Sequence, residues 1–237
     1  MKILITHLGS LVENFVASSV IKGLYKKYKN PDIIFAVKDK SICSLFKYNK
    51  KVKSVIYENL ANKDDVFDLL INLHPDLDHN ICPDIIIKDI TGFYKNNKYY
   101  NILYKNEVSN LNLFQIYYKL SGLEWRGEGY DISYYPKNKV RKKVGISVSN
   151  VNLKNYVSEK LNLENSKLWK IPYKRNIFKK MDEINRCKKI ITDDFLTYNI
   201  AVCLRKYVYF LKTVSHNTKL EFFNKGEIFN VPLEIIR

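Results

Sequence analysis

The sequence predicts an α/β protein built from two doubly wound, open parallel sheets, the second smaller than the first. Three observations carry that reading. A strand, a helix and a second strand follow one another within the first 40 residues, which argues a parallel βαβ unit. The alternation stops at a polar, basic, Gly/Pro-punctuated stretch, residues 126–143 (RGEGYDISYYPKNKVRKK), and then restarts. With 237 residues, 46% of them hydrophobic, the chain is long enough for two compact halves with a core each. The expected division is 1–135 and 136–237, both Rossmann-like.

The elements follow in order. Residues 2–6 (KILIT) read as a buried strand, and His7-Leu8-Gly9-Ser10 as a turn. Val12, Phe15, Val16, Val20 and Leu24 keep helical spacing, so one helix is expected from Val12 to about Tyr28. Lys26, Lys27 and Lys29 suit the negative end of its dipole, and Asn30-Pro31 stops it. IIFAV (33–37) is a strand, 41–48 a short helix and VKSVIY (52–57) a strand. VFDLLINL (66–73) is nearly all apolar and reads as a strand with a helical alternative; PDIIIKDI (83–90) is another strand. Residues 111–121 form an amphipathic helix closed by Gly122. In the second half, strands are expected at 144–149, 167–173, 189–192 and, last, 207–212. Helices are expected between them at 153–161, 176–187 and 195–204.

The composition is globular and excludes disordered, collagen-like and low-complexity proteins. No run reaches 18 apolar residues, and MKILITHLGSLVENF lacks a signal peptide's cleavage pattern. Four scattered Cys (Cys43, Cys82, Cys187, Cys203) without C-x-x-C spacing read as reduced thiols, so a cytoplasmic location is expected. The net charge of +16 rests on 34 Lys and only six Arg. Dedicated nucleic-acid readers favour Arg for its bidentate fork, so nucleic acid is the less favoured partner. Lys rises here together with Asn, Ile and Tyr, as an AT-rich coding background produces. What exceeds that background reads as attraction for an anion: a nucleotide, a lipid headgroup surface or nucleic acid.

Ligands of open α/β sheets bind at the carboxyl ends of strands, and three such ends carry polar groups. After the first strand come Ser10 and Glu13, the latter in the first turn of a helix. A carboxylate there can serve as a general base or simply complement the helix dipole. Ser147-Val-Ser149-Asn150 precedes Lys154, a pattern suited to a diphosphate and equally to one more solvated Lys. Thr192-Asp193-Asp194 leads into a helix carrying Thr197 and Asn199, where an Asp is expected to cap. His74-Pro-Asp76-Leu-Asp78-His79 has metal-like composition without helical or Cys spacing, so no metal is expected; His74 and Asp76 suit a polar acceptor. P-loop, dinucleotide, nucleophile-elbow and zincin motifs are all missing.

Taken in order, these strand ends resemble glycosyltransferase family 9, the bacterial ADP-heptose:lipopolysaccharide heptosyltransferases. KILITHLGSLVEN resembles the family's opening strand, small-residue turn and helix, with Glu13 at the catalytic Asp position. FDLLINLHPDL resembles its Y-D-hydrophobic-I-D-L segment. VGISVSNVNLKNYV is similar to its strand followed by K-x-W-P, with Lys154 on the phosphate-contacting Lys and Tyr156 in place of Trp. The segment up to DDFLTYNIA resembles D-[ST]-G-x-x-H-x-A: Asp194 falls on the Asp, Asn199 on the His, and Phe195 and Leu196 replace the small residue and Gly.

The resemblance implies a GT-B-like architecture and an inverting, metal-independent transferase without a cofactor. It implies a heptose or similar sugar moved from a nucleotide-diphosphate sugar to a glycolipid or polysaccharide acceptor. Glu13 would be the catalytic base. Ser149, Lys154, Asp194, Thr197 and Asn199 would bind the donor, and Ser10, His74 and Asp76 the acceptor. It also implies work at the inner face of the cytoplasmic membrane, with peripheral membrane contact. The alternative is a degenerate member that binds a ligand or partner without transferring sugar.

Overall fold

The computed structural model describes residues 1–57, 66–73, 86–91, 111–172, 176–212, 226–232 and 235. The chain divides into two compact units, Met1–Tyr134 and Tyr135–Arg237. His74 and Asp76 lie outside the described residues.

The first unit holds β1 (Lys2–His7), α1 (Leu11–Ala17), α2 (Val20–Tyr28), β2 (Asp32–Val37), α3 (Lys40–Cys43), β3 (Val52–Tyr57), β4 (Val66–Asn72), β5 (Ile86–Thr91) and α4 (Leu113–Leu120). Its sheet runs β3-β2-β1-β4-β5, and all its strand pairs are parallel. β1 lies at the centre, and Ile3, Leu4 and Ile5 are at most 1% exposed, as a strand covered on both faces requires. The same burial decides β4. Leu69, Leu70 and Ile71 are buried in succession and pair with Ile3, Leu4 and Ile5 of β1, which excludes the helical alternative.

The single helix expected from Val12 to Tyr28 is two helices. At Ser18, the buried hydroxyl donates to the Phe15 carbonyl at 2.7 Å and accepts the Asp131 amide at 3.1 Å. A serine bonded back to its own helix competes with the regular ladder, and α1 ends there. The polar stretch expected to link the units begins inside the first one. Tyr130 packs on Phe15 (4.6 Å between ring centroids) and Phe114 (5.0 Å), and Ile132 is 3% exposed. Two aromatic-and-aliphatic anchors outweigh the polar composition around them.

The second unit holds β6 (Lys142–Ser147), α5 (Val151–Lys160), β7 (Leu168–Lys170), α6 (Ile177–Asn185), β8 (Cys187–Thr192), α7 (Phe195–Cys203), β9 (Tyr207–Lys212) and β10 (Gly226–Asn230). Its sheet, again parallel throughout, runs β10-β9-β8-β6-β7. β9 is therefore not the last strand. β10 is an edge strand whose GEIFN carries neither an apolar run nor clean alternation, so its pattern was too weak to read.

The two sheets differ in strand order, yet each reverses direction once. The first reverses between β1 and β4, the second between β6 and β8. At such a reversal the two connecting segments leave on opposite faces and open a crevice at the carboxyl edge. The polar strand ends described above sit at these two positions.

Candidate functional site

In the first unit, β1 ends at His7, which is 1% exposed. Its Nδ1 accepts the Gly9 amide at 3.0 Å, so the proton of the neutral ring resides on Nε2, which donates to the Tyr117 hydroxyl at 2.9 Å. α1 opens with a reciprocal cap. Ser10 Oγ receives the Glu13 amide, while Glu13 Oε2 accepts from the Ser10 amide at 2.7 Å and from Ser10 Oγ at 2.8 Å. Glu13 thus does more than complement the helix dipole: it closes the cap, which fixes the carboxylate rather than consuming it, since both bonds fall on one oxygen.

Gly9 makes this arrangement possible. A Cβ there would stand 2.4 Å from His7 Cε1 and 2.6 Å from Glu13 Oε2. Across the crevice, Thr6 Oγ1 donates to Asn72 Oδ1 at 3.1 Å and the Leu73 amide donates to the Thr6 carbonyl at 2.9 Å, tying the ends of β1 and β4 together.

In the second unit, a cavity of about 310 Å³ opens at the carboxyl end of β6. Ser149, Asn150, Val151 and Lys154 line one side, Leu168 and Lys170 of β7 the other. Asn150 caps α5 by accepting the Leu153 amide at 2.8 Å, leaving the first turn of the helix facing the cavity. The Lys154 ammonium has no partner among the described residues. Ser149 is held from the β8 side, its amide donating to Asp193 Oδ2 at 3.0 Å.

Asp194, Thr197 and Asn199 sit differently. Asp194 caps α7, accepting from the amides of Leu196 (3.3 Å) and Thr197 (3.1 Å), and it pairs with Lys180 Nζ at 2.6 Å. Burial, the strongest influence, raises its pKa; the Lys180 charge and hydrogen bond, together with Thr197, outweigh it and hold the carboxyl below its ordinary value. Thr197 is fully buried, its hydroxyl donating to Asp194 and lying 3.4 Å from Ser147 Oγ. Asn199 is 3% exposed and donates to the Phe195 carbonyl at 2.8 Å. The structure therefore gathers Ser149 and Lys154 around a cavity, while Asp194 and Thr197 bond to one another, Asp194 also to Lys180, and Asn199 to its own helix, with none of the three lining that cavity.

Lys180 was missed in the sequence, although a signal existed. Ile177, Met181 and Ile184 of α6 are buried, and position 180 completes that i, i+3, i+4, i+7 face, so its side chain had to be buried and needed an anion. Lys170 was missed because a cation beside a Trp on a short strand carries no motif.

No protein-family model matches the sequence, and no curated protein sequence does. Solved structures match over nearly the whole chain. A family 9 glycosyl transferase from Veillonella parvula superposes with a TM-score of 0.64 at 10% identity, covering 96% of this chain and 85% of that one. E. coli heptosyltransferase WaaC with ADP-2-deoxy-2-fluoro heptose gives 0.66 at 9% identity, over 98% and 94%. E. coli ADP-heptose lps heptosyltransferase II gives 0.63 at 11% identity, over 98% and 91%. The two parallel sheets, their strand ends and their extent thus give this chain the GT-B-like fold of the family 9 glycosyltransferases and heptosyltransferases.

Proposed function

We propose that the chain is an inverting, metal-independent sugar transferase whose second unit binds a nucleotide-diphosphate sugar and whose first unit activates the acceptor. The observation that carries this reading is the cavity at the end of β6, where the Lys154 ammonium, without a partner among the described residues, and the first turn of α5 converge. A helix amino terminus and a cation together suit a diphosphate, and they oppose the charge that develops on it as the sugar leaves. The heptosyltransferase fold supports the same donor class, since the WaaC structure carries an ADP-sugar analogue.

On the first unit, Glu13 keeps Oε2 occupied by Ser10 and presents Oε1 to the acceptor. That oxygen takes the proton of an acceptor hydroxyl as the hydroxyl oxygen bonds to the anomeric carbon from the face opposite the departing diphosphate. Ser10 orients the base; His74 and Asp76, outside the described residues, are assigned to the acceptor on the sequence alone. The sugar is a heptose or similar, and the acceptor a bacterial glycolipid or polysaccharide, whose anionic groups the basic chain attracts. The protein works in the cytoplasm, at the inner face of the membrane; among the described residues no helix is long and apolar enough to cross a membrane.

One observation favours a second reading, a binding protein that transfers nothing. The Leu196 and Thr197 amides at the start of α7 are already taken by Asp194, and Phe195 packs edge-on against Phe210 at 5.5 Å. That end of the helix offers a phosphate little. Glu13→Gln separates the readings. Gln retains the cap but cannot take a proton, so transfer falls about 10²–10⁴-fold while nucleotide-sugar binding persists. Unchanged turnover removes Glu13 as base. Wild-type binding without any turnover across a panel of nucleotide-diphosphate sugars, read by thermal shift and product analysis, establishes the second reading.

A further inference from the structure

The second unit carries another cavity, larger than the first, at about 580 Å³, on the opposite edge of the sheet. It lies where the chain enters β6 and β8, not where these strands end. The Arg141 and Lys142 amides both donate to the Arg186 carbonyl, at 2.8 and 2.9 Å, and so bring the approach to β6 against the approach to β8. β7 separates the two cavities. Side chains alternate along a strand, so Leu168 and Lys170 line the cavity at the end of β6 while Trp169 between them lines this one.

The lining is basic beyond what the chain's background supplies. Five of its seven residues are Lys or Arg and none is acidic, whereas the whole chain holds 40 Lys and Arg in 237 residues, which would put about one in a lining of that size. Two of the six Arg in the protein are here, and an AT-rich background does not inflate Arg.

The floor is fixed. Trp169 Nε1 donates to Glu183 Oε2 at 3.1 Å; Lys142 Nζ and the Arg186 guanidinium lie 5.1 and 5.6 Å from its ring centroid. Arg186 is held by Glu183 at 3.7 Å; with the Asn138 side-chain amide turned so that its oxygen faces the guanidinium, that oxygen accepts from Nε and Nη2 at 3.1 and 3.2 Å. By contrast, the Lys137, Lys139 and Arg141 side chains have no anionic partner among the described residues. A guanidinium held on an aromatic floor, beside cations without an anionic partner among the described residues, is an arrangement that suits phosphate.

We infer that this cavity is a second anion site, distinct from the one at the end of β6, and that it takes a multiply charged phosphate group, either free or on a lipid headgroup. Arg186 and Lys142 on Trp169 form its fixed base, and Lys139 and Arg141 close over the phosphate.

Trp169 reports on the site directly. In full-length protein carrying Trp125→Phe, so that Trp169 is the sole indole, fluorescence is titrated with inorganic pyrophosphate. It is titrated separately with phosphatidylcholine vesicles, with and without phosphatidic acid. Saturable quenching by pyrophosphate or by the phosphatidic acid vesicles is expected, the first identifying a free phosphate and the second a headgroup. Lys139→Gln with Arg141→Gln, both exposed, weakens that response about tenfold or more, because a hydrogen bond to a charged group is worth about a decade in affinity. Lys26→Gln with Lys50→Gln removes the same charge elsewhere and leaves the response within about twofold. Lys154→Ala also leaves it intact while weakening nucleotide-sugar binding, so this proposal and the transferase reading fail separately. No response to either probe, an equal loss in the Lys26/Lys50 variant, loss with Lys154→Ala, or quenching by an oligonucleotide alone overturns the inference.

Discussion

Replacing Lys180 with Met tests how the second unit is held together behind its ligand cavity. Lys180 is 1% exposed and its partner Asp194 15%, with 2.6 Å between ammonium and carboxylate. Removing one member of a buried pair leaves the other charge uncompensated, at a cost of about 3–5 kcal/mol. Asp194 keeps the Leu196 amide, the Thr197 amide and the Thr197 hydroxyl, so the low end applies, about 3 kcal/mol. Met follows the apolar course of the Lys stem among Ile177, Met181 and Ile184, which keeps the packing term small.

The sign with pH follows from the same contacts. The folded Asp194 pKa lies below its ordinary 3.8, so the stability it contributes is fully present above that value and is lost as pH falls through the lower, folded one. In the variant, burial is no longer opposed by Lys180, so the folded pKa rises relative to wild type. The deficit is therefore largest near neutrality and shrinks in acid, where a protonated Asp194 no longer needs a cation. Urea unfolding followed by Trp169 fluorescence, in Trp125→Phe protein at neutral pH and near pH 3.5, measures both. Asp194→Asn alone strands the buried ammonium, and combining it with Lys180→Met recovers most of either loss. A neutral-pH deficit under about 1 kcal/mol, or one that does not change with pH, refutes the argument.

Two further outcomes follow from the sites. Gly9→Ala forces a methyl into His7 and the Glu13 carboxylate, destabilising the first unit by about 1–3 kcal/mol in urea unfolding and lowering transfer more than its effect on stability accounts for. Lys154→Ala weakens binding of a nucleotide-diphosphate sugar about tenfold or more by calorimetry, with thermal stability nearly unchanged because no described residue depends on that ammonium.

Most of the architecture was legible because parallel strands covered on both faces are nearly continuous apolar runs, as KILIT and IIFAV are, whereas the run containing DLLIN also fitted a helix until its pairing with β1 decided it. What escaped depended on long-range contacts. The break at Ser18 needs Asp131, more than a hundred residues away, and β10 is defined by its pairing with β9 rather than by its pattern. Of the candidate site, the placement of Glu13, Ser149 and Lys154 just after strands β1 and β6 was legible. Asp194, Thr197 and Asn199 also follow one, but their surroundings are set by Lys180 on another helix. Strand-end position alone does not separate a group facing a cavity from one facing the core.

The contacts of Asp131 bear on how the first unit opens. Its amide reaches Ser18, its carboxylate Lys51 at 2.7 Å, and its carbonyl Asn49. The final stretch of the unit is thereby fastened to the end of α1 and to the turn before β3. The last residues to be synthesised close the first, so fraying from the junction is coupled to opening around the central strand. The Asp131 amide accordingly belongs with the amides of β1 in the slowest class of hydrogen exchange, and the junction, for all its polar composition, is part of the unit's cooperative core.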